Sequence, residues 1–125
     1  MSRTIYVAGG SDERDECKAA MLALRAADWA VTFDWTAHPG DMRGDIRGVL
    51  DAAYLWVRCP RTKSEGSHAE LGIAIGAGAV EPVSRRRGII VSGGWRKLGR
   101  LFTEAADLKF AEHKQALAWL LEMAP

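Results

Sequence analysis

The sequence predicts an α/β domain in which five parallel strands are covered by helices on both faces. Two observations carry that prediction. Short apolar runs alternate with longer stretches of helical periodicity along the whole chain. The runs are continuously apolar, as strands buried on both faces require, and breakers close them, Gly9-Gly10 after the first and Pro60 after the third.

The elements follow in order. TIYVAG (4–9) is the first strand. SDERDECKAAMLALRAADW (11–29) is the first helix. Ser11 or Asp12 can cap it, acids crowd its first turn, and Cys17, Met21, Leu22, Leu24 and Arg25 fall at helical spacing. AVTFDW (30–35) is the second strand. PGDMRGDIRGVLDAA (39–53) is the second helix, with Ile46, Val49, Leu50 and Ala53 on one face. YLWVRC (54–59) is the third strand, SHAELGIAIGAGA (67–79) the third helix, GIIVSG (88–93) the fourth strand and ADLKF (106–110) the fifth. AEHKQALAWLLEM (111–123) closes the chain as an amphipathic helix, with Ala116, Leu117, Leu120 and Leu121 inward.

Right-handed crossovers between such units give a small doubly wound sheet of flavodoxin-like, Rossmann-like type, strand order 2-1-3-4-5. The 125 residues read as one domain, 1–125, with no internal repeat or linker. Ligands in these sheets bind beyond the carboxyl ends of the strands, where the order reverses between strands 1 and 3. Two unusual loops converge there: Gly9-Gly10-Ser11 after strand 1, and the segment after strand 3 that leads through Gly66-Ser67 to Glu70.

Bulk composition narrows the partners. Hydrophobic residues make up 48% and charged residues 26%. A formal net charge of +1 supplies no broad field for nucleic acid or an anionic membrane. The one dense basic run, Arg85-Arg86-Arg87, reads as a solvated loop. No apolar run reaches the roughly 18 residues of a membrane span, and MSRTIYVAGG enters a strand with no signal peptide. Two cysteines, Cys17 and Cys59, make no disulfide framework, which points to a reducing cytoplasm. His38, His68 and His113 lie far apart, so neither a metal nor a cofactor is expected.

Glu70 stands at the head of an apolar helix and has two readings. Ser67-x-x-Glu70 is a capping box, a structural device. The same position also puts a carboxylate in the positive field of a helix N-terminus, which would keep it ionised. An ionised, positioned carboxylate can attack an anomeric carbon and form a covalent glycosyl ester. Asp45 on the second helix is the candidate partner.

IYVAGG, DIRGVLDAAYLWV from Asp45, SEGSHAELGIAIGAG, GIIVSG and HKQALAWL together resemble the nucleoside 2-deoxyribosyltransferase family and its relatives, the nucleoside 5′-monophosphate N-glycosidases. The resemblance spans nearly the whole chain and is strongest at Gly66-Ser67-His68-Ala69-Glu70-Leu71-Gly72-Ile73-Ala74. It implies that Glu70 is the nucleophile displacing the base from C1′ and that Asp45 assists. It also implies a role for the residue six before the glutamate: Asp there suits free nucleosides, whereas Ser, here Ser64, suits a 5′-phosphate. Backbone N–H groups at Gly66 and Ser67, with Gly9, Gly10 and Ser11, would complete an anion cradle.

Tyr6 and Trp35 could stack on the base, although tryptophans more often fill cores. Arg43 and Arg47 read as solvent-facing partners of acids one turn away. His68 could move a proton. The expected function is a hydrolase opening the N-glycosidic bond of a nucleoside 5′-monophosphate or nucleoside. The alternatives are a transferase exchanging bases and an inactive nucleotide-binding module. A more distant similarity is to the phosphoribohydrolases that release cytokinin-type bases. The small and apolar residues of the helices at 39–53 and 67–79 predict a homodimer or tetramer.

Overall fold

The computed structural model describes residues 3–59, 65–80, 87–97 and 99–125, without the side chains of 65–68, 71, 80, 97, 101 and 102. The continuous apolar runs become the centre of one parallel sheet: β1 (Thr4–Ala8), β3 (Tyr54–Cys59) and β4 (Gly88–Gly93). β2 (Ala30–Val31) and β5 (Leu108–Phe110) are its edges, and the order is β2-β1-β3-β4-β5, as the sequence predicts. Tyr6 lies opposite Leu55, and Trp56 opposite Ile90.

Alternation along each strand divides the core in two. Tyr6, Leu55, Val57 and Val91 face α2 (Met42–Asp51) and α3 (Glu65–Val80), where Val49 and Ala74 meet them. Ile5, Val7, Trp56 and Ile90 face α1 (Arg14–Ala26) and α5 (His113–Glu122), against Met21, Leu24, Ala116 and Leu120. Each large side chain fully buried here contributes about 1.5–3 kcal/mol. A short α4 (Arg100–Ala105) and 3₁₀ turns at Ser11–Glu13 and Trp95–Lys97 complete the described elements.

Several expectations are corrected. β2 ends at Val31, four residues early. Polar contacts account for the departure: the buried Asp34 carboxylate accepts from Lys18 and from the Thr36 N–H and hydroxyl, and Trp35 Nε1 donates to the Val7 carbonyl at 2.8 Å. These bonds fold the chain across the sheet edge. α2 is turned away from its expected face. Asp45 is half-buried, and Gly48, Val49 and Ala52 are buried, while Ile46 and Ala53 are exposed. Leu22 and Leu121 also point outward.

Arg87 is buried rather than solvated. Its guanidinium donates to the carbonyls of Val49 and Leu50 in the last turn of α2. Arg85 and Arg86 lie outside the described residues.

Candidate active site

β1 carries Tyr6 at its centre, with no exposed surface. Gly48 lets α2 lie directly on the ring: a Cβ there would fall 2.8 Å from Tyr6 Cδ2 and 2.7 Å from Phe33 Cβ. That approach brings Asp45, three residues earlier on the same helix, to the phenol. The Tyr6 hydroxyl donates to Asp45 Oδ1 at 2.7 Å. From α3, the Glu70 carboxyl also comes within hydrogen-bonding reach of the Tyr6 hydroxyl. Glu70 Oε2 is buried and has no hydrogen-bond partner among the described residues. Three residues far apart in sequence thus meet on the α2/α3 side of the sheet, with one carboxyl oxygen uncommitted.

Burial dominates the electrostatics. It pushes the Glu70 carboxyl up to about 8, contact with the Tyr6 hydroxyl pulls the other way, and the Asp45 charge adds to the rise. Burial raises the Tyr6 phenol well above its usual range too, followed by the effects of Glu70 and Asp45. Glu70 is therefore a neutral acid at pH 7, not the ionised carboxylate the sequence suggested. The physical reason is position. α3 begins at Glu65, so Glu70 sits in the second turn, beyond the reach of a helix-end field. Ser67 lies inside the first turn and cannot be the N-cap, so the capping-box reading does not describe this helix start.

The other candidates are placed as follows. Gly9, Gly10 and Ser11 leave the carboxyl end of β1. Gly10 is extended and precedes the 3₁₀ turn, whose Glu13 N–H donates to the Gly10 carbonyl at 3.0 Å, and Ser11 is exposed. Gly66 and Ser67 lie in the first turn of α3. Ser64 and the His68 side chain lie outside the described residues. Tyr6 reaches the carboxyls through its hydroxyl and has no exposed ring face. The Trp35 indole is tied to Val7 and packs against both cores. Arg43 and Arg47 are exposed, and Arg47 pairs with Asp51 one turn on at 3.7 Å.

Sequence reasoning missed a cleft of about 710 Å³ at the carboxyl ends of β3 and β4, reached from the α1/α5 face. Its buried residues include Arg58, whose Nη1 donates to Cys17 Sγ at 3.1 Å and whose guanidinium lies over the Trp56 ring. Ser92 Oγ joins Trp56 Nε1 and His113 Nδ1, each at 2.8 Å. Glu13, Glu16 and Lys114 also line the cleft, so it mixes both signs of charge. The available signal was an arginine inside an otherwise apolar strand, YLWVRC. Gly9 links this cleft to the β1 loop, since a Cβ there would touch Cys17 and Arg58.

Among the described residues no group of His, Cys, Asp or Glu is arranged to hold a metal ion, and no helix is long and apolar enough to cross a membrane. No family model matches the chain, and no curated protein or solved structure matches it either.

Proposed function

We propose that this protein cleaves the N-glycosidic bond of a nucleoside 5′-monophosphate or nucleoside through a covalent glycosyl ester on Glu70. The observation that carries the reading is the Tyr6 hydroxyl poised between the carboxyls of Asp45 and Glu70. Double displacement at an anomeric carbon needs a carboxylate to attack and an acid to help the leaving group depart. Glu70 supplies the first through its uncommitted oxygen, and Asp45 supplies the second. Water then resolves the ester. Resolution by a second base would make the same site a transferase. The backbone N–H groups opening α3, the Gly9-Gly10-Ser11 loop and Ser64 supply donors for a 5′-phosphate. The reaction as proposed draws on no metal or cofactor.

The neutral resting state of Glu70 favours a second reading, in which the site holds a nucleotide without cleaving it. A panel of nucleosides and their 5′-monophosphates, followed for free base by chromatography, decides between them. The proposed reading expects base release, faster from monophosphates. Saturable binding with no release from any member would establish the binding module instead.

The assembly we propose is a two-fold dimer, able to double to a tetramer, formed on the α2/α3 face. Met42 and Ile46 are exposed there at 72% and 41%. On α3, Ala69, Gly72, Gly76 and Ala79 form an exposed small-residue row, with open space beside both glycines. A helix so uniformly apolar is normally covered. A partner seated there would roof Glu70 and keep bulk water from the intermediate.

A further inference from the structure

Arg58 brings a permanent charge into a central strand. It is 6% exposed and meets Cys17 of α1 on the face opposite Glu70. A buried guanidinium is costly unless an anion or several acceptors satisfy it. Among the described residues Arg58 has neither. Its hydrogen bond there runs from Nη1 to Cys17 Sγ at 3.1 Å, Nε is buried with no partner, and no carboxylate forms an ion pair with it. Cys17 does not supply the missing charge. Burial holds its thiol above the ordinary range although Arg58 pulls it down, and a sulfur is a weak acceptor.

The surroundings hold the guanidinium in place without neutralising it. Its carbon lies 5.8 Å from the centre of the Trp56 ring, and Trp56 Nε1 donates to Ser92 Oγ at 2.8 Å, which fixes the indole. The β1 loop packs on Cys17, because Gly9 has no Cβ to keep the sulfur away. Arg58 also lines the cleft of about 710 Å³, a volume within the range of small-molecule sites. We propose that this cleft is a second binding site, for a small molecule carrying one oxyanion group, a carboxylate or a phosphate monoester, that pairs with Arg58.

The chemistry of the lining favours that ligand. Nε and Nη2 of a guanidinium form a planar edge that takes two oxygens of a carboxylate or phosphate. His113 adds a donor. Ser92 Oγ accepts from Trp56, which leaves its own proton for His113 Nδ1 at 2.8 Å, and a neutral His113 then carries its proton on Nε2. His113 opens α5, whose N-terminal field opposes an imidazolium and favours an anion. Glu13, Glu16 and Glu112 line the same cleft and limit the negative charge it can take. Glu112 pairs with Lys114 at 3.2 Å and closes the capping box of α5, and neither Glu13 nor Glu16 is without a partner. One oxyanion on a polar body fits this balance, and a polyanion does not.

Calorimetric titration of the whole protein at constant ionic strength, with inorganic phosphate and separately with acetate, tests the site. At least one of the two should bind saturably, one per chain. Phosphate alone identifies a phosphate-reading site, acetate alone a carboxylate-reading one, and both a site that reads the oxyanion in either form. Arg58→Lys keeps the charge and loses the fork, so binding should weaken about tenfold or more. Arg58→Met should abolish binding while the anion-free variant unfolds at a Tm no lower than that of the wild type, because no described ion pair is broken.

Glu70→Gln should bind the anion as the wild type does. Loss of binding in that variant would move the anion to the other face of the sheet and overturn the proposal. Absence of saturable binding by either anion would overturn it too. Binding that both Arg58 variants leave unchanged would show an adventitious ion only, or a phosphate at the head of α3, and has the same consequence. No arm reads base release, so a failure of the N-glycosidic reading leaves this test intact.

Discussion

The hydroxyl of Tyr6 and the carboxylate of Asp45 are 2.7 Å apart across 39 positions of sequence, and the side chain of Glu70 closes on the same phenol. β1 at the centre of the sheet fixes Tyr6, and α2 brings Asp45 to it only because Gly48 offers no Cβ to hold the helix away. The cluster is a product of packing, and its electrostatics follow from the burial of Tyr6 and the partial burial of the two carboxyls.

The pH dependence of stability reports that burial. Glu70 titrates at about 8 in the folded chain against 4.5 for the free side chain, so the folded state holds the proton more tightly between those values. Its contribution is fully present below 4.5 and is lost as pH rises toward 8. Removing the ionisable group removes the slope. Glu70→Gln should unfold in urea with stability close to wild type at about pH 5, and exceed it by a few kcal/mol at about pH 9. Equal pH slopes in the two proteins would mean that Glu70 is solvated.

Gly48→Ala sets two effects against each other. Alanine favours a helix by about 1 kcal/mol. The added methyl would press on Tyr6 and Phe33, and such overpacking costs about 1–3 kcal/mol. The clash should win: stability falls, and the displaced α2 carries Asp45 off the phenol, so base release falls at least tenfold. A stabilised, fully active Gly48→Ala protein would show that α2 does not rest on Tyr6.

Asp34 holds the segment after β2. Burial alone would raise its carboxyl, but Lys18 and Thr36 more than offset this and lower it to about 2. A lowered folded value gives stability that is present above 3.8 and lost as pH falls toward 2. Asp34→Ala should cost about 1–3 kcal/mol at neutral pH, because Thr36 and Lys18 lose their acceptor. Thermal unfolding of wild type and variant at neutral and acid pH checks both the cost and its disappearance in acid.

The dimer makes a direct demand on α2. Ile46→Glu places a charge on an exposed apolar site, where a monomer should tolerate it within about 0.5 kcal/mol. If that face is an interface, light scattering should find twice the chain mass or more for the wild type and a monomer for the variant. A wild type that stays monomeric and active at micromolar concentration would leave the site closed by one chain alone.

The fold was legible because continuous apolar runs separated by helical periodicity specify a parallel sheet, and β3 and β4 occur at the residues expected. The face of α2 was not legible. Its apolar pattern points Ile46 and Ala53 inward, yet tertiary packing follows the gap at Gly48 and turns Asp45 toward Tyr6. Of the candidate site, Glu70 and Asp45 were visible as a motif and a spacing. The role of the Tyr6 hydroxyl was not, since nothing local tells which polar group a central-strand tyrosine will meet. The charge state of Glu70 was misread for a related reason: a helix-end field is a local property, whereas burial by α2 and β1 depends on the whole fold. Arg58 and its cleft were hidden likewise, because a lone arginine in a strand does not disclose that Cys17 and Trp56 will surround it.

The central claim is that Glu70 bonds covalently to the sugar. A 2′-fluoro nucleoside 5′-monophosphate slows breakdown of the ester, because fluorine beside C1′ destabilises the positive charge that hydrolysis must develop. Intact-mass spectrometry after incubation should show one added fluorosugar phosphate per chain, peptide mapping should place it on Glu70, and Glu70→Gln should show neither adduct nor base release. Base release that continues in Glu70→Gln, or an adduct mapped to another residue, would contradict the account.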